Sequence, residues 1–140
     1  WSISVWHGDH RWHQGSRNYA KELETYCSTK NIPFHLDCAD EANITSEEKA
    51  REWRYQRLYE KANELSFKTS SRDNFCIVTG HTSTDNVETF LLNLARGSNY
   101  AGLAGIPKKR LLKDKFFLVR PIINLTRQDT LSICKYLKVF

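Results

Sequence analysis

Phe75-Cys76-Ile77-Val78-Thr79-Gly80-His81-Thr82-Ser83-Thr84-Asp85-Asn86-Val87-Glu88-Thr89-Phe90-Leu91-Leu92 is the stretch that decides the fold. Phe75 to Thr79 is a compact apolar run, as expected of a buried parallel strand. Gly80 turns the chain. From about Thr84 to Ala95, Val87, Phe90, Leu91 and Leu94 recur at helical spacing, and this stripe is expected to face a sheet. A strand that feeds directly into a helix is half of a βαβ unit.

The same alternation extends in both directions. Upstream, Trp1 to Trp6 alternates apolar and polar residues as a strand does. A helix is expected over Ser16 to Lys30, ended by Asn31-Ile32-Pro33, because the residue before proline is pushed out of the helical region. Phe34 to Cys38 reads as a second strand. Thr45 to Leu65 reads as the longest helix, opened by a Thr45-x-x-Glu48 capping box. Downstream, Arg96-Gly97-Ser98-Asn99 stops the helix, and Tyr100 to Lys115 reads as a loop rich in glycine and basic residues. Phe116 to Pro121 reads as a strand, and Thr126-x-x-Asp129 caps a last helix ending near Leu137. Strand and helix alternate four times. This order predicts an α/β fold: a Rossmann-like parallel sheet with helices on both faces.

The composition, 40% hydrophobic and 26% charged over 140 residues, is that of one globular domain. No run approaches the ~18 consecutive apolar residues of a membrane span. The N-terminus lacks the layout of a signal peptide. Cys27, Cys38, Cys76 and Cys134 form no C-x-x-C pair, so a zinc ribbon or redox dithiol is not indicated, and reduced, mostly buried thiols are expected. Net charge is +5, unevenly spread. Residues 1–95 carry 11 basic and 14 acidic groups, whereas residues 96–127 carry 8 basic groups and one acid, Asp114. Such a local basic stretch suits an anion such as nucleic acid, or is simply a solvated loop.

Ligands of open α/β sheets bind at the carboxyl ends of the strands. Those ends here hold His7-Gly8-Asp9-His10, Asp37-Cys38, Gly80-His81-Thr82 and Arg120-Pro121. His81, Asp85 and Glu88, at i, i+4 and i+7, are expected on one face of the helix start, apart from the apolar stripe. There the free amides suit a phosphate and the carboxylates suit Mg²⁺; equally, the acids are what the helix dipole favours at a capped start. Arg51 and Arg54 fall by phase beside Leu58 and Leu65, on the apolar side of the long helix. An inward arginine calls for an anion, either a phosphate or an internal carboxylate. His7, Asp9, His10 and His13 are too irregularly spaced on a strand to favour a metal centre. Gly97, Gly102 and Gly105 do not match a phosphate-loop pattern and read as backbone freedom. Lys108-Lys109-Arg110 beside them could grip a nucleic-acid backbone.

Gly80-His81-Thr82-Ser83-Thr84-Asp85-Asn86-Val87-Glu88-Thr89-Phe90-Leu91-Leu92 resembles the signature G/A-H-H-x-D-D-x-x-E-T-x-L-L of the tRNA(Ile)-lysidine synthase family. Further resemblances run in family order across nearly the whole chain. Arg96-Gly97-Ser98 with Gly102 to Pro107 is similar to R-G-S-x-x-x-G-L-A-G-M-P, and Ala50 to Tyr55 to A-R-E-x-R-Y. His7 to His10 is similar to H-V-D-H, and Val119 to Ile122 to the strand L-x-R-P-L. The resemblance implies an N-type ATP-pyrophosphatase (PP-loop), adenine nucleotide alpha hydrolase-like fold, incomplete at the N-terminus. Residues 1–140 would be a partial catalytic domain lacking the upstream S-G-G-x-D-S loop that holds the phosphates, and inactive alone. The implied reaction uses ATP to adenylate O2 of the wobble cytidine of tRNA(Ile). The amine of free L-lysine then attacks C2 and displaces AMP, leaving lysidine.

The implied site residues are Asp85, Glu88, Arg54 and His81 for catalysis. His81, Arg54, Asp9 and Arg51 would contact the ATP cofactor, Asp85 would hold Mg²⁺, and Lys108, Lys109 and Arg110 would meet tRNA. Thr84 and Thr82 depart from the family's first Asp and second His. The resemblance places the protein in the cytoplasm or, given wording similar to cyanobacterial and plastid members, in the plastid stroma; a homodimer is compatible with it. Two other functions stay open: another PP-loop tRNA-modifying enzyme such as a 2-thiocytidine synthetase, which the absence of C-x-x-C argues against, and a degenerate, non-catalytic tRNA-binding module.

Overall fold

The computed structural model describes residues 2–12, 15–40, 46–68, 75–100, 102–113 and 115–139. The chain divides into two compact units, Trp1–Lys68 and Thr69–Phe140.

In the first unit, β1 (Val5–Asp9) pairs in parallel with β2 (Phe34–Cys38), from Val5 opposite Phe34 to Asp9 opposite Cys38. β1 begins four residues later than the alternation of Trp1 to Trp6 suggested, because the ladder starts where Val5 N donates to Pro33 O at 2.8 Å. α1 (Ser16–Thr29) crosses between the two strands, as a parallel pair requires. Its buried contacts come from Ala20 and Cys27, whereas Tyr19 is exposed. α2 (Glu47–Lys68) starts and ends later than the sequence suggested. Its start is capped by Ser46, whose Oγ accepts from Lys49 N at 3.2 Å; the expected cap at Thr45 lies outside the described residues.

The interior of this unit is built from small side chains, with Ala39 and Ala50 packed under Trp53. Gly8 lets two indoles close over the strand: a Cβ there would stand 2.6 Å from Trp6 Cη2 and 3.0 Å from Trp53 Cζ3. Gly8→Ala is expected to cost about 1–3 kcal/mol by overpacking, read as a lower denaturant midpoint.

The second unit holds a three-stranded sheet in the order β3 (Cys76–Val78), β5 (Phe116–Val119), β4 (Lys109–Leu112). β3 and β5 are parallel, with Ile77 opposite Leu118; β4 runs antiparallel to β5, with Arg110 opposite Leu118. The expected loop from Tyr100 to Lys115 therefore contains a 3-10 turn (Gly102–Ala104) and an added antiparallel strand. α3 (Ser83–Ala95) follows β3, and α4 (Arg127–Leu137) follows β5 with the expected Thr126–Asp129 capping box. Ile77, Leu112, Phe116, Leu118 and Ile123 are buried.

β3 is not buried on both faces: Ile77 is buried, and Cys76 and Val78 are exposed. Val87, Phe90, Leu91 and Leu94 are exposed as well, against the expectation of a covered stripe. Helical spacing fixes which side of α3 is apolar and says nothing of what lies against it. All four cysteines are free, but only Cys27 is buried; Cys38 and Cys76 point outward from their strands and Cys134 from α4, so the expectation of mostly buried thiols fails. No helix among the described residues is long and apolar enough to cross a membrane.

Candidate active site

In the second unit, the turn after β3 places the ionisable groups. Thr79 N donates to Val119 O at 3.0 Å, which carries the β3–β5 pairing one residue past the strand, and His81 Nδ1 lies 3.0 Å from Thr79 Oγ1. Thr82 then caps α3. Its buried hydroxyl donates to Asp85 Oδ2 at 2.7 Å, its amide donates to the same oxygen at 2.6 Å, and Asp85 N closes the box on Thr82 Oγ1. The bond from the Thr82 amide, then that from its hydroxyl, holds the Asp85 carboxyl below the usual range against partial burial, and His81 adds to the same effect. Asp85 therefore stays ionised well into acid, and its share of stability is lost as pH falls through that lowered value. Oδ1 is the oxygen the box leaves over.

His81 precedes the helix, so the i, i+4, i+7 spacing does not hold for it. Glu88 lies three residues beyond Asp85 on α3 and is exposed. Thr84, in place of the family's Asp, uses its hydroxyl to accept from Arg127 N at 3.1 Å, which ties the start of α3 to that of α4.

Lys108, Lys109 and Arg110 do not form one loop patch. Lys109 and Arg110 are successive residues of β4, and successive strand residues face opposite sides. Lys109 lies over the Phe117 ring at 3.6 Å, and Lys108, just before the strand, is exposed.

The first unit holds Asp9, Arg51 and Arg54. Asp9 is buried at the end of β1, and its Oδ1 accepts from Arg11 N at 2.8 Å. Arg51 and Arg54 are exposed, against the expectation of an inward face; Arg51 lies 5.6 Å from the Tyr55 ring centroid. The arginine of α2 that finds an internal carboxylate is Arg57, whose Nη2 donates to Asp37 Oδ1 at 2.8 Å. Trp6 Nε1 donates to the other oxygen at 2.7 Å. Burial pushes the Asp37 carboxyl up, and these bonds outweigh it, leaving it below its ordinary value.

Arg54 instead meets His10, a residue the sequence offered only as an unfavoured metal ligand. Arg54 Nε donates to His10 Nε2 at 3.2 Å. The ring stands edge-on to Trp53 at 5.0 Å and tilted to Trp12 at 5.7 Å. Since Nε2 accepts, the neutral ring carries its proton on Nδ1, which is enclosed and has no partner among the described residues. Burial first, then Arg54 and His7, lower the His10 pKa, with Asp9 opposing. Stability linked to the neutral ring is present above the ordinary imidazole value and lost as pH falls through the lowered one. Arg54→Ala removes one lowering charge, so the NMR titration midpoint of His10 should rise; an unchanged or lower midpoint would refute the pairing. Nothing short-range in the sequence marks this contact between Asp9's neighbour and a helix far along the chain.

Among the described residues no group of three or more His, Cys, Asp or Glu side chains converges as a metal centre. A cation carried in by phosphates asks for less, since Mg²⁺ commonly takes one or two protein carboxylates, the phosphates and waters. The ionised Asp85 fits that donor set.

Parallel strands with crossover helices, and ionisable groups at the turn after β3, are the layout of an α/β domain that takes its ligand at the carboxyl ends of the strands. Residues 1–139 match the PP-loop domain, and the chain belongs to that family. Its relatives include the tRNA(Ile)-lysidine synthase of Prochlorococcus marinus subsp. pastoris, 56% identical over 96% of this chain and 40% of the relative. The tRNA(Ile)-lysidine synthase of Parasynechococcus marenigrum is 39% identical over 99% of this chain and 40% of the relative. The chloroplastic tRNA(Ile)-lysidine synthase of Pyropia yezoensis is 36% identical over 96% and 39%. The chain thus spans about two fifths of the length of the curated relatives it matches.

Proposed function

We propose that this chain is part of the catalytic domain of a tRNA(Ile)-lysidine synthase. The observation that carries the reading is 56% identity over 96% of the chain to a protein of that name; Arg54, His81, Asp85 and Glu88 fall in the segments that resemble the family's motifs. In the reaction, O2 of the wobble cytidine attacks the α-phosphate of ATP and releases pyrophosphate. The amine of L-lysine then adds at C2, the C2–O bond breaks so that AMP departs with the O2 oxygen, and the attacking nitrogen gives up a proton to solvent.

The protein's share is positioning and electrostatics. Arg54, His81, Asp85 and Glu88 are the proposed catalytic residues. His81, Arg54, Asp9 and Arg51 are the residues proposed to contact ATP. Mg²⁺ on the phosphates would offset charge building on the pyrophosphate; Asp85 is the carboxylate proposed to hold it. Lys108, Lys109 and Arg110 are proposed to meet tRNA, with Lys108 the most open to a phosphate. Cyanobacterial and chloroplastic relatives favour the cytoplasm or plastid stroma, where tRNA(Ile) is used.

The test uses the full-length protein with a tRNA(Ile) transcript, ATP and labelled L-lysine. Label should enter the tRNA in proportion to AMP released. ATP-dependent sulfur transfer in place of lysine, or tRNA binding with neither, would contradict the reading.

A further inference from the structure

The turn between the 3-10 segment and β4 is gripped from two elements. From α3, Asn86 Oδ1 accepts the Ile106 amide at 2.6 Å. From the end of β5, Arg120 Nη1 donates to Pro107 O at 2.6 Å, and the Arg120 amide donates to Lys108 O at 2.9 Å. Gly105 permits the approach: its φ is +71°, and a Cβ there would collide with Asn86 Oδ1. About two helical turns further on, Asn93 Nδ2 donates to Gly102 O at 2.7 Å and holds the other end of the segment against the same helix.

Arg120 is 2% exposed, and its Nε is enclosed with no partner among the described residues. Dehydrating a guanidinium is costly. One charge-assisted bond to a carbonyl offsets only part of that cost. For packing alone, an apolar side chain of similar volume would do as well or better. The feature a guanidinium adds is direction: it fixes where the Pro107 carbonyl points, and thus where β4 starts.

We infer that Asn86 and Arg120 are positioning residues, which together register Lys108 and Lys109 against the helix turn that carries Asp85. Asn86 adjoins Asp85 in sequence, so a displacement of the 105–108 turn moves the basic residues relative to that carboxylate. The inference rests on the proposed function, in which those lysines meet tRNA(Ile) and Asp85 serves the reaction.

The experiment measures lysidine formation by the full-length protein against tRNA(Ile) and ATP concentration, alongside thermal unfolding. Asn86→Leu keeps the volume and removes the acceptor. Its KM for tRNA(Ile) should rise about tenfold, the scale of one lost hydrogen bond, with the KM for ATP within about twofold, an effect too small for a lost contact to the nucleotide. Asn86→Asp keeps an acceptor for Ile106 N and should return the tRNA KM to within about threefold of wild type, less than one hydrogen bond's worth. Arg120→Met should repeat the tRNA effect and serves if Asn86→Leu fails to fold. An active wild type with both variants unchanged in tRNA KM, or changed only in unfolding temperature, overturns the inference alone. A wild type that forms no lysidine overturns the proposed function and the inference with it.

Discussion

Asp85→Asn in the full-length protein is expected to lower lysidine formation by about a hundred- to a thousandfold, the scale seen when a preorganised electrostatic group is removed, while leaving the fold in place. The two parts of that result separate Asp85's two duties. As the third residue of α3, it accepts the Thr82 amide and hydroxyl through one oxygen. The carboxamide of asparagine can accept the same amide bond, so most of the cap survives. The negative charge, held ionised by those bonds, does not. Thr82→Ala is the converse variant. It removes the cap hydroxyl, costs about 1 kcal/mol of stability, and keeps the charge, so activity should fall only a few-fold. If Asp85→Asn retained near-normal turnover, the carboxylate would be a helix cap and nothing more.

Leu118→Ala should have the largest effect on stability. Leu118 sits on β5, the central strand of its sheet, between Ile77 and Arg110, and is 0% exposed. Truncating a leucine in such a site loses its transfer free energy and leaves a cavity, together about 2–5 kcal/mol. Leu111, the residue after Leu118's partner on strand β4, is 47% exposed, and its replacement by alanine should cost less than about 1 kcal/mol. Urea unfolding of the two variants gives the comparison. Equal midpoints would mean that β5 does not centre the core as described.

The unit from β3 to α3 was legible because each local signal agreed with the next. An apolar run, a glycine and helical spacing admit one local reading, and only the cap, Thr82 with Asp85 three residues on, moves the helix start from the expected Thr84 to Ser83. Thr126 and Asp129 mark the start of α4 in the sequence itself. β4 was not legible. Lys109-Arg110-Leu111-Leu112 places two cations and then two leucines along a strand, so neither alternation nor an apolar run appears. Lysine on an edge strand is also what discourages further pairing, and it makes an edge look like a loop.

Side-chain partners were less legible than elements. Helical phase put Arg51 and Arg54 inward, but phase cannot tell which arginine of α2 meets a carboxylate supplied by β2, and it is Arg57. The pairing of Arg54 with His10 depends on β1 lying beside α2, a tertiary fact without a local signature. The motif resemblance singled out Asp85 and His81; the structure adds why Asp85 stays ionised. The exposed apolar residues of α3 show the limit of periodicity, which orients a helix without naming its neighbour.

The most direct measurement is the nucleoside mass analysis of tRNA(Ile) from cells whose own lysidine synthase is depleted and replaced by the full-length gene, with and without Arg54→Ala. Lysidine at the wobble position is expected with the wild-type gene and unmodified cytidine with the variant. Unmodified cytidine with both, or lysidine with both, would contradict this expectation.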